Sequence, residues 1–339
     1  MAILITLIGF GIMIFLHEMG HFIAAKYFKV LVHEFSIGMG PKIFSFGKGE
    51  TKYSLRLLPI GGYVKLEGEN ELEENDNPRS FSNLAPFKRI VILISGAAMN
   101  ILLGFIIFTI INLKIGITPA IVKDIPAEYK NKQVVLQIGD EIQKLNKTNI
   151  NTFDDVSLFM SRYNKDTINI TIKRDGETVK LNDVKLFDTQ YGKKMGIVFQ
   201  AEKASFLESA EYAVYDTIYI SKAVVFAVSD LITGKANVNS LSGPVEIVST
   251  VNQVASADNK YPILNVFLLF AMITVNLGIF NLLPFPALDG GSIIFALYEL
   301  VFRKKVKSEI VGYASIIGFV LLMLLAVYVT VGDILALIK

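Results

Sequence analysis

Four long apolar stretches alternate with polar segments along the chain. The first, 1–25, holds only His17, Glu18 and His21 as ionisable side chains, and the others hold none: 90–113, 263–288 and 310–332. A bilayer core takes about 20 apolar residues as a helix. The pattern therefore predicts four transmembrane helices, the first within 1–28. A cleaved signal peptide is the alternative for the first stretch, but such peptides begin with a basic region and the first lysine here is Lys26.

The lysines and arginines predict how these helices are oriented. The segment 29–89 carries nine of them, and Arg303, Lys304, Lys305 and Lys307 follow the third helix closely. Cytoplasmic loops are enriched in lysine and arginine. We therefore expect these two loops to face the cytoplasm, both termini to face outward, and 114–262 to lie outside.

The middle of the outer segment alternates between polar and apolar residues. The run 167–173 predicts a strand, Asp175-Gly176 is a hairpin-turn signal, and a second short strand follows. With Gly139-Asp140 ahead of another strand and a helix at 153–160, the segment 119–203 resembles a PDZ domain. The resemblance implies an α/β fold inserted between helices 2 and 3.

Two further segments have patterns of their own. Apolar residues recur at helical spacing through 206–232, but five charged residues interrupt them, which is costly inside lipid. We predict an amphipathic helix on the bilayer or against the outer domain, within a helical linker 204–260. In the loop 29–89, the run 53–66 predicts two strands about a Pro/Gly turn, and the acidic run that follows predicts a solvated loop.

Composition narrows the classes of function. The 339 residues are 52% hydrophobic and 19% charged, against about 25% charged residues in soluble domains. The net charge of +2 is too small for a nucleic-acid binder that works through a basic face, so we expect no nucleic-acid partner. The absence of cysteine excludes disulfides, cysteine nucleophiles and thiolate metal sites. Any metal site must use carboxylates or the three histidines.

Two of the three histidines lie one helical turn apart in the first apolar stretch, as His17-Glu18-Met19-Gly20-His21. Side chains at i and i+4 share one face of a helix, so both imidazoles can reach one metal ion. Glu18 then lies close enough to act on a water molecule at that ion. The alternative is a pair of membrane histidines that hydrogen-bond to backbone carbonyls.

Two histidines do not complete a catalytic zinc site, which has three protein ligands. The third histidine, His33, lies beyond the predicted helix, where a solvated or loop-packing role is favoured. A carboxylate is the common alternative ligand, and Asp289 is the only acid between Asp258 and Glu299. It lies in a run rich in proline and glycine at the predicted end of helix 3. The alternative for Asp289 is a cap of the following helix.

The two motifs together resemble a known family. His-Glu-x-x-His in the first helix, paired with Asn-x-x-Pro-x-Pro-x-Leu-Asp-Gly-Gly at 281–291, is similar to the site-2 protease family of intramembrane zinc metalloproteases, and most like its RseP branch. Smaller matches run through the chain: Gly-Gly-Tyr-Val-Lys at 61–65, Gly-x-x-x-Asn at 96–100, Leu-Ser-Gly-Pro at 241–244 and Val-Asn-Leu-Gly at 275–278. RseP proteins carry two tandem PDZ domains, whereas this chain has room for one.

The resemblance implies a metal centre and its base. Zn²⁺ would be held by His17, His21 and Asp289, and Glu18 would be the catalytic residue that moves the proton of the attacking water.

The resemblance also implies roles for other matching residues. Asn276 and Asn281 would bind the substrate backbone, with helix–helix hydrogen bonding as the alternative. Gly61 and Gly62 would belong to a membrane-associated β segment that binds substrate by strand addition. The remaining matches would be structural parts of the motifs, with simple helix packing as the alternative for the first two: Gly96, Asn100, Pro284, Pro286 and Gly290.

The fold implied is a mainly α membrane protein: four transmembrane helices, a PDZ-like α/β domain between helices 2 and 3, and a membrane-associated β segment after helix 1. The activity implied is hydrolysis within transmembrane helices of single-span proteins that an upstream site-1-type protease has already shortened. Such substrates are anti-sigma factors or remnant signal peptides, cut in regulated intramembrane proteolysis. The expected location is the bacterial inner membrane, in contact with lipid, with the active site towards the cytoplasm.

Three other functions remain as alternatives. A non-catalytic scaffold would bind partners through the PDZ-like domain and would not need Glu18. A zinc protease with a cytoplasmic catalytic domain would need a third ligand in 29–89, where no suitable pattern stands out. A metal transporter would need symmetric repeats, and 1–113 shares no evident motif with 263–339.

Overall fold

The computed structural model describes residues 2–47, 49–69, 77–130, 134–190, 192–236, 243–256 and 261–338. In chain order the elements are α1 (Ala2–Tyr27), β1 (Val32–Phe46), β2 (Lys52–Leu66), a short 3₁₀ helix (Phe81–Asn83), α2 (Pro86–Ile115), α3 (Ala127–Lys130), β3 (Glu141–Leu145), β4 (Thr148–Asn149), α4 (Phe153–Ser161), β5 (Thr167–Arg174), β6 (Glu177–Lys185), β7 (Phe187–Thr189), β8 (Gly192–Lys194), α5 (Phe206–Ile232), α6 (Pro244–Ser256), α7 (Pro262–Asn281), α8 (Asp289–Phe302) and α9 (Ser308–Ile338).

The chain divides into two units. One comprises residues 1–104 and 224–339, and the other comprises residues 105–223. Within the described ranges, four helices are long and apolar enough to cross a membrane: α1, α2, α7 and α9. The sheets of the described residues lie in other parts of the chain: β1-β2 in the first unit, and β4-β3-β5-β6 and β7-β8 in the inserted unit. The prediction of four apolar helices with an inserted β-containing unit is confirmed.

In the first unit, helix α6 packs against two of these helices, α1 and α7. Val251 of α6 is fully buried and clusters with Met13 of α1 and Phe270 of α7. The carboxylate of Asp333, in α9, accepts hydrogen bonds from the backbone N–H groups of Gly243 (3.3 Å) and Glu246 (3.0 Å). A carboxylate at a helix N-terminus satisfies donors that have no partner within the helix and favours the helix dipole. The residue pattern predicts a helical linker over 204–260 but does not indicate this cap.

Strands β1 and β2 form a sheet in which each strand bends back on itself. Ile37 of β1 pairs with both Leu55 and Gly62 of β2. The first half of β1 therefore lies between the two halves of β2. The sequence predicted two separate strands about a Pro/Gly turn, and that prediction is corrected to one bent strand: Gly61 has φ +85°, a conformation that glycine adopts without strain.

The third apolar stretch contains a helix, a loop and the start of another helix. We predicted a helix over 263–288, but α7 ends at Asn281 and α8 begins at Asp289. Pro284 and Pro286 lie between them, and proline lacks the N–H that a helix interior needs. Hydropathy could not show the break because the loop residues are themselves apolar.

Glycines let this loop fold tightly against α8. A Cβ atom at Gly290 would collide with the carbonyl oxygen of Leu283, and one at Gly291 would lie 2.5 Å from that of Phe285. Helix α9 packs equally closely against the loop, because a Cβ atom at Gly318 of α9 would collide with the carbonyl oxygen of Pro286. The position of Asp289 is therefore fixed by backbone packed against backbone.

The second unit contains a four-stranded antiparallel sheet in the order β4-β3-β5-β6. Alternate residues of β5 point into its core, where Ile168, Ile170 and Ile172 are at most 1% exposed. Asp175 and Gly176 join β5 to β6 with positive φ angles of 49° and 86°, as a type I′ hairpin turn requires.

An ion pair closes one end of this sheet. Asp140 is 1% exposed and accepts hydrogen bonds from Nε (2.7 Å) and a terminal nitrogen (2.8 Å) of Arg174. Helix α4 is capped by the Thr152 hydroxyl, which accepts from the N–H of Asp155. The unit therefore has its own core and its own buried polar contacts.

Two features predicted from the sequence lie partly outside the described residues. Leu241 and Ser242 of the Leu-Ser-Gly-Pro motif lie outside the described residues. The segment 70–76, which holds most of the acidic run, also lies outside them.

Candidate metal centre

Three side chains from the two chain segments singled out above converge in the first unit. The i and i+4 spacing on α1 brings Nε2 of His21 within 3.1 Å of Nε2 of His17. Oδ2 of Asp289, in the first turn of α8, lies 3.2 Å from Nε2 of His17 and 3.5 Å from Nε2 of His21. All three side chains are largely buried. The structure thus brings together the three predicted ligands.

A hydrogen bond to His21 directs the free ring nitrogen of this histidine towards the other two ligand atoms. Nδ1 of His21 lies 2.8 Å from the carbonyl oxygen of Ile92, and a carbonyl only accepts, so Nδ1 carries the proton and Nε2 of the neutral ring carries a lone pair. Buried Oδ2 of Asp289 has no hydrogen-bond donor among the described residues. A cation between these two atoms would remove the repulsion between that lone pair and the carboxylate.

The spacing of the three atoms fits zinc. Bonds of about 2.1 Å at tetrahedral angles place two ligand atoms about 3.4 Å apart. The observed separations of 3.1, 3.2 and 3.5 Å surround that value. Two imidazoles and one carboxylate also form one of the donor sets of catalytic zinc sites, which keep the fourth position open.

Helix α2 passes the imidazoles at a glycine. A Cβ atom at Gly96 would collide with Nε2 of His21 and would lie 2.9 Å from Cε1 of His17. From the sequence, Gly96 is expected to have a structural role, with helix packing as the alternative. In the structure the packing partners are the two imidazoles, so this glycine leaves room for the metal centre itself.

Glu18 faces β2 beside the metal centre. Its carboxylate is hydrogen-bonded to the backbone of Val64, and a Cβ atom at Gly62 would lie 3.4 Å from its Cγ. Of the two glycines of the β segment, Gly62 is thus near the predicted base, and the role of both in substrate binding stays a prediction. Gly61 itself lies against Met39, on β1.

A cavity of about 520 Å³ opens on this centre. Its described walls include Glu18, His21 and Asp289, the strand residues Val64 and Leu66, and apolar residues of α9. Glu69, just after β2, adds a further carboxylate to the wall. The cavity has space for several residues of an extended peptide beside the metal ligands.

The sequence profile of peptidase family M50 matches residues 5–325. The chain belongs to peptidase family M50. A protein described as a zinc metalloprotease in Clostridium acetobutylicum is 36% identical to it over 338 residues, which cover 98% of this chain and 97% of that protein. A protein of Campylobacter jejuni that is also described as a zinc metalloprotease is 33% identical over 98% of this chain and 92% of its own.

A third relative is zinc metalloprotease RasP of Geobacillus kaustophilus, at 28% identity over 98% of this chain and 97% of that protein. M50 is a family of zinc-dependent site-2-type peptidases. The chain is therefore a zinc metalloprotease and a multi-pass membrane protein, and its cofactor is zinc, for which His17, His21 and Asp289 supply fitting ligands.

The structure places the other predicted residues of this M50 peptidase at different distances from the centre. Nδ2 of Asn281 lies 3.3 Å from Nε2 of His17, at the end of α7. Asn276 lies exposed on α7. Asn100 is fully buried in α2, and its side-chain amide has no partner among the described residues. The roles of these three residues stay predictions.

Two contributors to the centre were missed from the sequence. The carbonyl of Ile92 orients His21, but a backbone group has no sequence signal. Glu69 was included only in an acidic run that predicted a solvated loop, and its position in the cavity depends on the path of β2. His33, in contrast, lies away from the centre and contacts the carboxylate of Glu67.

Proposed function

We propose that this M50 peptidase hydrolyses peptide bonds within the transmembrane helices of single-span proteins. The observation that carries the proposal is the convergence of ligand atoms of His17, His21 and Asp289 beside Glu18, with both histidines on a helix apolar enough to span a membrane. Zinc held there would supply positive charge that polarises the scissile carbonyl and activates water. A site at this depth suits a substrate that is itself in the membrane.

Glu18 is the proposed general base. It would take a proton from the attacking water and deliver it to the leaving amine nitrogen. Glu18 follows the ligand His17 in the sequence, and its side chain lines the cavity. Val64, at β2, holds the carboxylate from the other side and thereby orients it.

The open edge of β2 is the proposed binding track for the substrate backbone. The N–H of Glu67 donates to the carbonyl of Leu31, just before β1. Backbone groups point to opposite sides along a strand, so the N–H groups of Leu66 and Val64 point away from β1. Among the described residues, the segment 62–66 pairs only with β1. A helix hides its carbonyls in internal bonds, and a substrate that unwinds could pair with this edge. Substrates with helix-weakening residues should be favoured.

The finer context follows from the same proposal. The substrates would be anti-sigma factors or remnant signal peptides that a site-1-type protease has already shortened, in regulated intramembrane proteolysis. The segment 119–203 would be a PDZ-like domain, for which the antiparallel sheet and α4 are the support. The enzyme would lie in a bacterial inner membrane with both termini outside and the active site towards the cytoplasm.

The test uses purified full-length enzyme in liposomes with a single-span model substrate. Glu18→Gln should keep its zinc and lose cleavage by about 10³-fold, because only the proton carrier is removed. Asp289→Ala should lose zinc and cleavage together. Zinc content and fragment mass are the readouts. The proposal fails if Asp289→Ala leaves both unchanged, and membrane fragments that accumulate with the Glu18→Gln form in cells would identify natural substrates.

A further inference from the structure

A second carboxylate besides Glu18 lies on the proposed substrate track. Oε2 of Glu69 accepts a hydrogen bond of 3.1 Å from the N–H of Leu66. That N–H is one of the outward-facing donors at the open edge of β2. The next outward-facing donor, at Val64, meets Glu18. Each of the two donors is therefore held by a carboxylate where a substrate carbonyl would bind.

The distance along the strand places Glu69 relative to the scissile bond. Residues two apart in a strand are separated by about 6.7 Å. The scissile carbonyl is taken to lie at the metal centre beside Glu18, level with Val64. A substrate strand paired with β2 then lies opposite Leu66 at a residue about two positions from the scissile bond. When a substrate carbonyl takes the Leu66 N–H, the carboxylate of Glu69 is released within reach of a nearby substrate side chain.

The cavity at the metal centre offers this carboxylate no lysine or arginine, whereas a second cavity that Glu69 also borders carries Lys42, Lys52 and Lys65. The described walls at the metal centre carry Glu18, Glu69 and Asp289 but no lysine or arginine. Asp289 is a ligand and Glu18 is the base, which leaves Glu69 as a negative charge without an assigned function. Although its side chain is exposed to the cavity, protein surrounds it on most sides, and this burial raises the pKa of its carboxyl group to about 7. A cationic group beside it would restore the charged form.

We propose that Glu69 is a specificity-determining residue that selects a lysine or arginine close to the scissile bond of the substrate. The proposal rests on the proteolytic function and cytoplasmic orientation proposed above. Membrane helices carry lysine and arginine at their cytoplasmic ends, so this end of a substrate supplies the matching charge. Zinc and Glu18 perform the reaction, and Glu69 decides which segment of substrate is presented to them.

The experiment varies the charge on both sides of the contact. Three single-span substrates that differ only by Lys, Gln or Glu two residues from the cleaved bond are compared in liposomes. The full-length enzyme should cleave the Lys substrate with a kcat/KM about tenfold above the Gln substrate, mainly through KM. Glu69→Gln should lose this preference, so that its kcat/KM values for the Lys and Gln substrates agree within about twofold. Glu69→Lys should favour the Glu substrate.

Glu67→Gln is the matched control. It removes the same charge two residues away, at a side chain that contacts His33 and is not among the described residues lining the catalytic cavity. It should retain the preference for Lys. The proposal is overturned if Glu69→Gln also keeps that preference, or if it lowers cleavage of all three substrates equally, since that would mean a structural role.

Binding separates this proposal from the proteolytic function. In the Glu18→Gln background, photocrosslinking of the uncut Lys and Gln substrates should again differ by about tenfold, and Glu69→Gln should abolish the difference. If the unaltered enzyme cuts no substrate but binding still depends on Glu69, the proteolytic proposal fails and the specificity proposal stands. Equal binding of both substrates overturns the specificity proposal.

Discussion

At the scale of residues, the metal centre depends on the ligand atoms of two histidines and one aspartate, and on the space that a glycine leaves beside them. The spacing of His17 and His21 was enough to predict a shared face, because helical geometry is local. The partners of these side chains could not be predicted, since they depend on where α2 and α8 pass. The contact of Asn281 with His17 and the space that Gly96 leaves for the imidazoles could therefore not be predicted from local sequence.

The clearance at Gly96 leads to a sharp prediction. Gly96→Ala should improve the propensity of α2 to be helical, yet its new Cβ atom would displace the imidazoles of His17 and His21. We expect zinc affinity to fall about 10- to 100-fold, the usual cost of disturbing groups that orient metal ligands. Competition with a zinc chelator measures the affinity, and circular dichroism checks that helicity is retained.

Gly332→Ala is the control, because among the described residues, apart from its neighbours and the adjacent backbone of its own helix, none lies within 4 Å of the position that its Cβ atom would take. It should bind zinc as the unaltered enzyme does. Unchanged zinc affinity in Gly96→Ala would contradict the proposed clearance.

At the scale of elements, the third ligand depends on how α8 is held. Arg89 near the start of α2 forms an ion pair with Glu299 of α8, and both side chains are largely buried, at 16% and 14% exposed. Lys305, after α8, reaches the carbonyl of Ser82 (3.4 Å). The far end of α8 is therefore tied to the segment that begins α2, while its first turn presents Asp289.

Exchanging the charges of this ion pair tests its contribution. Arg89→Glu or Glu299→Arg alone should destabilise the enzyme by about 3 kcal/mol, because each leaves two like charges in a partly buried position. The double exchange should recover about 1–3 kcal/mol of that loss. Thermal unfolding in detergent, with zinc retention followed in parallel, is the measurement. A double variant no more stable than the weaker single variant would argue against the pair.

The inserted unit has a comparable buried pair in Asp140 and Arg174. Arg174→Met should destabilise this unit by about 2 kcal/mol, since it leaves the 1% exposed carboxylate of Asp140 without its cation. The rate of limited proteolysis within 105–223 of the full-length enzyme reports the change. Lys193→Met is the control: its partners Asp166 and Asp188 are more than 80% exposed, and no measurable change is expected.

The strength of each element's pattern determined how well the sequence predicted it. The strict alternation of β5 and the Asp175-Gly176 turn identified the hairpin because both signals are local. The end of α7 was misplaced although Pro284 and Pro286 signalled it, because an apolar loop and an apolar helix have the same hydropathy. The bend of β2 depends on its pairing with β1, which lies earlier in the chain.

At the scale of the whole molecule, hydropathy predicted the membrane-spanning helices well because lipid imposes their length directly. It says less about which side of the membrane each end faces, since that depends on a statistical excess of positive charge. The orientation proposed here rests on the lysines and arginines of 29–89 and of the loop before α9.

Topology reporters test that orientation. A reporter active only outside the cytoplasm should be active when fused after Lys339 or within 105–223, and inactive when inserted after Lys52. The physical reason is that the positive loops are retained on the cytoplasmic side. A cytoplasmic reporter signal after Lys339 would reverse the assignment of the active site to the cytoplasmic half.

The distribution of the three ligands between α1 and α8 also has a consequence in time. A membrane protein is synthesised from its N-terminus, so His17 and His21 enter the bilayer long before Asp289 is made. During that interval the growing chain exposes its histidines to other membrane segments without a complete zinc site. The site cannot assemble until the loop after α7 has closed, so hydrolytic activity appears only after the first turn of α8 has been made.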